Sequence, residues 1–180
     1  MIAAAIFITF WVEPCVRPAD TACQRSDEQL VVWALEAWAR AAGGRLRFEP
    51  VRQREAADFR FYWASARDGL YGEARPIRVQ GRRGAEIYIR AGIAAGEETL
   101  ARDLVLYLTC LHESGHALGL GHTANFDDIM YSFQYGGDLR EYFDRWRRKL
   151  RSRADLRRLG GYSAEDVRRL QRSLEYWNAF

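Results

Sequence analysis

The sequence predicts an α+β fold. Short segments rich in β-branched and aromatic residues, one of them strictly alternating, occupy the first half of the chain. Apolar stripes at helical spacing lie between and after them, and glycine pairs at Gly43-Gly44, Gly136-Gly137 and Gly160-Gly161 punctuate the segments. The chain has 180 residues, 48% apolar and 13% aromatic, which is enough for one domain with a core and short for two. That composition excludes a disordered chain. No repeat or linker divides it, so residues 1–180 read as a single domain.

Ile6 to Val12 is expected to be the first strand. The apolar start Met1 to Val12 also invites reading as an export signal, but the first positive charge is Arg17 and no small-residue cleavage site follows. On the strand reading the chain starts directly at the folded domain, with any export signal or pro-segment missing. Cys15 and Cys23 could close a small disulfide loop in an oxidising compartment. Ser26 followed by Gln29 has the form of a capping box, opening a helix whose stripe is Leu30, Val31, Ala34, Leu35 and Trp38. Leu46–Val51 and Ala57–Trp63 read as strands, the second with Phe59, Phe61 and Trp63 on one face.

Residues 64–84 read as a Gly/Arg-rich loop, tightest at Asp68-Gly69-Leu70-Tyr71-Gly72, and Ala85–Arg90 as another alternating strand. Glu97–Leu118 is expected to be a long apolar helix. Cys110 within it reads as a small buried hydrophobe rather than a metal ligand, since positions two apart leave a helix on different sides. After a loop to Asp128-Ile129-Met130-Tyr131, residues 138–159 read as one basic helix with Leu139, Tyr142, Phe143, Trp146 and Leu150 inward. Ser163 to Asp166 then opens a last helix through Val167, Leu170 and Leu174.

The net charge of +3 is uneven: residues 134–180 hold 12 Lys/Arg against 7 Asp/Glu. A basic helix could face nucleic acid or an anionic surface. Glu141, Asp144 and Asp155 are interspersed, so a solvated face is the better reading and no nucleic-acid partner is expected. No apolar run approaches the ~20 residues of a membrane span.

The decisive segment is His112-Glu113-Ser114-Gly115-His116-Ala117-Leu118-Gly119-Leu120-Gly121-His122. The chain has only three histidines, and all fall here. His112 and His116 leave one helical face a turn apart, within reach of one ion. Gly119 can adopt the left-handed backbone that ends the helix and brings His122 back as third ligand. Three neutral imidazoles keep one zinc dipositive with an open position for water, which the metal makes acidic while it polarises a carbonyl. Glu113 then serves as general base and later general acid. A structural or inactive zinc site is the competing reading; the retained Glu113 and the lack of an evident fourth ligand count against it.

On these residues the chain resembles the metzincin zinc metalloproteases, and among them the matrixin (matrix-metalloproteinase-like) catalytic domain. Met130, eight residues after His122, stands where that family has its Met-turn methionine, read as packing beneath the histidines. Thr123 replaces the usual serine. Leu46-Arg47-Phe48, Ala57 to Phe61, Asp68-Gly69 with Gly72, Ala74 and Pro76, and Ser163 to Gln171 look like further matrixin segments in the right order. The resemblance implies a twisted mixed β-sheet with an N-terminal helix, an active-site helix, a Met-turn and C-terminal helices. It also implies zinc-dependent endopeptidase activity on proteins or peptides, and a secreted or extracytoplasmic location. Three departures stand out: no histidines for a second, structural zinc, no match to the pro-segment's cysteine latch, and residues 138–159 as an insertion. The strand at Ala85–Arg90 is a candidate substrate rim, with an ordinary inner strand as alternative. Tyr131 to Gly137 is expected to line the pocket past the cut. Calcium is open: Asp68, Asp127 and Asp128 could take part, though turn-forming aspartates are commoner. Oligomeric state cannot be read.

Overall fold

The structure, a computed structural model, describes residues 5–67, 71–92 and 97–177. Five strands form one mixed sheet in the order β2-β1-β3-β5-β4. They are β1 (Ile6–Val12), β2 (Leu46–Pro50), β3 (Phe59–Trp63), β4 (Gly72–Val79) and β5 (Arg82–Ile89). The first, second, third and fifth run parallel, and β4 alone is antiparallel, on the edge against β5. The described residues also form five α-helices: α1 (Pro18–Thr21), α2 (Glu28–Ala41), α3 (Thr99–Ala117), α4 (Leu139–Arg147) and α5 (Ala164–Glu175).

Alternation explains how the sheet is covered. Phe59, Phe61 and Trp63 of β3 and Ala85, Ile87 and Ile89 of β5 point to the same buried side. Helices α2 and α3 pack over that side, joined where Trp38 Nε1 donates to Leu111 O at 2.9 Å and Ser114 Oγ at 3.1 Å. A buried ion pair also links them, Arg102 of α3 to the α2 N-cap residue Asp27 at 2.7 Å and to its own neighbour Asp103 at 3.1 Å. A disulfide joins Cys15 to Cys23, and Cys110 is free and buried.

Four expectations need correction. Ser26 caps nothing: Asp27 is the N-cap residue, and its carboxylate accepts from Arg102 and the Gln24 amide instead of the helix. The loop expected over 64–84 contains β4, joined to β5 by Gln80 and Gly81, both at positive φ (50° and 79°). Arginines and Pro76 hid this strand, yet charge and proline are what an edge tolerates. It follows that β5 is an inner strand and the free rim belongs to β4, not to Ala85–Arg90. The basic helix of 138–159 is not continuous. It ends at Arg147, and a 3-10 turn begins at Arg153 because the Asp155 carboxylate accepts from the Arg151 and Ser152 amides at 3.0 and 2.9 Å.

Four arginines of this segment pair with carboxylates outside it. Arg147 pairs with Glu98, Arg145 with Asp127, Arg153 with Asp103 and Arg157 with Glu36. Among the described residues no helix is long and apolar enough to cross a membrane.

Candidate metal centre

Helix α3 carries His112 and His116 one turn apart, and it ends where Leu118 N returns to Ser114 O at 2.9 Å. Gly119 follows at φ +93°, and a Cβ there would also lie 2.6 Å from Arg83 Nη2 and 2.7 Å from Ser173 Oγ. Only glycine fits, for backbone and for space. The reversal brings His122 Nε2 to 3.3 Å from His112 Nε2 and 3.1 Å from His116 Nε2.

The donor set suits zinc. Main-chain carbonyls can only accept, so His112 Nδ1 donates to Ile129 O (2.7 Å) and His116 Nδ1 to Leu120 O (2.8 Å). Their Nε2 lone pairs therefore face the shared centre. Tetrahedral ligands roughly 2.0–2.1 Å from zinc stand about 3.3–3.4 Å apart, close to the spacing found. Burial, then the neighbouring His116, pushes His112 down to about 3, and burial lowers His116 as well. Such imidazoles are held neutral, the form that binds metal. Among the described residues, these three are the group of metal-ligating side chains whose donor atoms converge.

Glu113 is buried beside the triad, its side chain lying on Gly72 at the start of β4. Burial, then Glu73, pushes its carboxyl up to about 8. A cation held by the histidines would oppose that effect by favouring the charged form. Met130 is fully buried, and Gly115 leaves it room: a Cβ on Gly115 would sit 2.5 Å from Met130 Sδ. Thr123, next to His122, donates its amide to Met130 O at 2.9 Å.

Two supports were missed in the sequence. The Asp166 carboxylate accepts from Ser163 N, closing the capping box of α5, and from Ile129 N at 2.8 Å. The same Ile129 orients His112 through its carbonyl. A capping box announces a helix start but gives no hint of this second, long-range bond. Of the aspartates considered for calcium, Asp128 is buried and accepts from Ser163 Oγ and Asn125 Nδ2, Asp127 pairs with Arg145, and Asp68 lies outside the described residues.

A cavity of about 620 Å³ opens in front of the histidines. Tyr131, Ser132 and Phe133 line it, while Gln134, Tyr135, Gly136 and Gly137 of the expected segment do not. Tyr142 and Phe143 of α4 also line it, residues whose spacing signalled burial but not what they would face.

The matrixin family model matches residues 15–142 of this chain. No curated protein matches. Among solved structures, archaemetzincin from Methanopyrus kandleri is similar in fold: 14% identity, a TM-score of 0.53, and coverage of 97% of this chain and 98% of that one.

Proposed function

The chain belongs to the matrixin family of zinc metallopeptidases, which act on proteins or peptides, and from that premise we propose that it is an endopeptidase using Glu113 as its proton-transfer group. The observation that carries this reading is the convergence of three Nε2 atoms beside a buried carboxylate.

His112, His116 and His122 would hold one zinc ion, three neutral ligands leaving a fourth position open. Bound there, zinc supplies a Lewis acid that polarises a carbonyl and makes water acidic. Glu113 takes the proton of the attacking water on its carboxylate and delivers it to the nitrogen of the departing amine. The free edge of β4 offers main-chain groups to an extended substrate, and Gly72, against which Glu113 packs, sets the register of the reacting bond. Met130 packs under the histidines and Gly119 turns the chain so that His122 can join them. The Cys15–Cys23 disulfide supports a secreted or extracytoplasmic setting.

The test is to incubate the purified chain with an unfolded protein, with and without a zinc chelator, and map the cuts by mass spectrometry. Chelator-sensitive internal cuts are expected. Absence of cleavage, or cleavage indifferent to the chelator, overturns the proposal.

A further inference from the structure

The rim strand is lopsided about the catalytic point. Glu113 packs on Gly72, the first residue of β4, and among the described residues the strand extends from there to Val79 on one side and by Tyr71 alone on the other. In the other direction the next residue is Tyr71. Its ring stacks on Phe143 of α4, centroids 6.2 Å apart and planes 17° from parallel. The pair joins the rim to the opposite side of the cleft. It also divides two cavities of about 620 Å³ each, whose linings share Tyr71 and Phe143 alone.

The division is held from both sides. Arg90 N donates to Tyr71 O at 3.1 Å, fixing the approach to β4. On α4, Tyr142 stands edge-on to Phe143 and donates its hydroxyl to Asp128 O at 3.1 Å, while Arg145 and Arg147 pair with Asp127 and Glu98. The near cavity is lined by rings and aliphatic groups together with Glu73 and Glu113, and the far one carries Glu97, Asp138, Asp144 and Arg140.

An extended peptide advances about 3.3 Å per residue and pairs more stably with an edge when antiparallel. Laid antiparallel on β4, its amino-terminal part runs beside Glu73 to Val79. Its carboxyl-terminal part leaves past Gly72 and meets the stacked rings within a residue or two. We infer that Tyr71 and Phe143 form a stop across the cleft, so that the enzyme favours peptide bonds close to the carboxyl terminus of its substrate. This rests on the peptidase reading above and ranks its substrates: internal bonds are still cut, but more slowly than bonds with a short remainder after them.

The experiment uses end-blocked peptides sharing one amino-terminal half, with remainders from a single residue to about eight after the cleaved bond. For the native enzyme, kcat/KM falls at least about tenfold, some 1.4 kcal/mol of transition-state binding, once the remainder exceeds two or three residues. Phe143→Ala and Tyr71→Ala flatten that dependence. Phe143→Leu, which keeps an apolar side chain on α4, flattens it partly and covers the case in which the alanine variant melts early. Binding of the same peptides to Glu113→Gln, followed by fluorescence anisotropy, shows the same length dependence without turnover. Equal kcat/KM at every length, or a dependence unchanged in all the variants, overturns the stop and leaves the peptidase reading intact. Failure to cut any peptide overturns both.

Discussion

Adding one methyl group at Gly72 should disable the enzyme without unfolding it. A Cβ there would lie 2.6 Å from Glu113 Cγ and 3.0 Å from its Cδ and Oε1, where ordinary contact begins at 3.4 Å. Gly72 is not at positive φ, so alanine suits its backbone, and the lost glycine entropy favours folding slightly. The strain therefore falls on Glu113, which is buried and must shift by the better part of an ångström. A displacement of about 1 Å at a reacting group costs on the order of 10²-fold. That corresponds to about 2.7 kcal/mol of lost transition-state stabilisation. Cleavage of a quenched fluorescent peptide by Gly72→Ala should thus show kcat/KM down about a hundredfold, with zinc content and melting midpoint at native values. In a Glu113→Ala background the same substitution should add little, because both act through one carboxylate. Native kcat/KM in Gly72→Ala would refute the reasoning. So would a melting midpoint low enough to account for the loss.

Glu113→Ala should keep its zinc while peptide cleavage drops by orders of magnitude; normal turnover would remove Glu113 from the chemistry. His122→Ala should lose zinc on dialysis, and unchanged metal content by atomic absorption would refute a three-histidine site. Arg102→Met leaves Asp27 and Asp103 buried without their shared cation. Denaturant unfolding should show a loss of about 3–5 kcal/mol, as when one partner of a buried pair is removed; a change within experimental error would contradict it. Cys15→Ser with Cys23→Ser opens a loop of sequence separation 8. The loop-entropy relation gives a loss of about 2.5 kcal/mol, read as a lower denaturation midpoint.

Local pattern made much of this molecule legible. β3 announces itself by strict alternation, α2 by its stripe, and the histidine spacing needs only the helix repeat and one glycine turn to bring three rings together. What escaped was structure decided by distant partners. Asp27 gives up helix capping because Arg102, far along the chain, needs a counterion in the core. One local signal was passed over as well: the basic segment breaks near Arg147 because Asp155, three residues after Ser152, offers its carboxylate to the Arg151 and Ser152 amides, an alternative to continued helix.

The edge strand is the most instructive case. Pro76 and three nearby arginines argue against a central strand, and they do so correctly. The error lay in treating a poor central strand as a loop, when an edge needs to satisfy only one side of its ladder. Read as a loop, this segment leaves β5 as the apparent rim and gives no sign that Gly72 meets Glu113. In the folded chain those two residues touch, and the contact places the carboxylate at the end of the rim, next to Tyr71. On the proposed reading, the histidine motif specifies where a bond can be cut. On the same reading, which bonds can reach it is governed by a hairpin and a broken helix, elements that the motif's own spacing does not position.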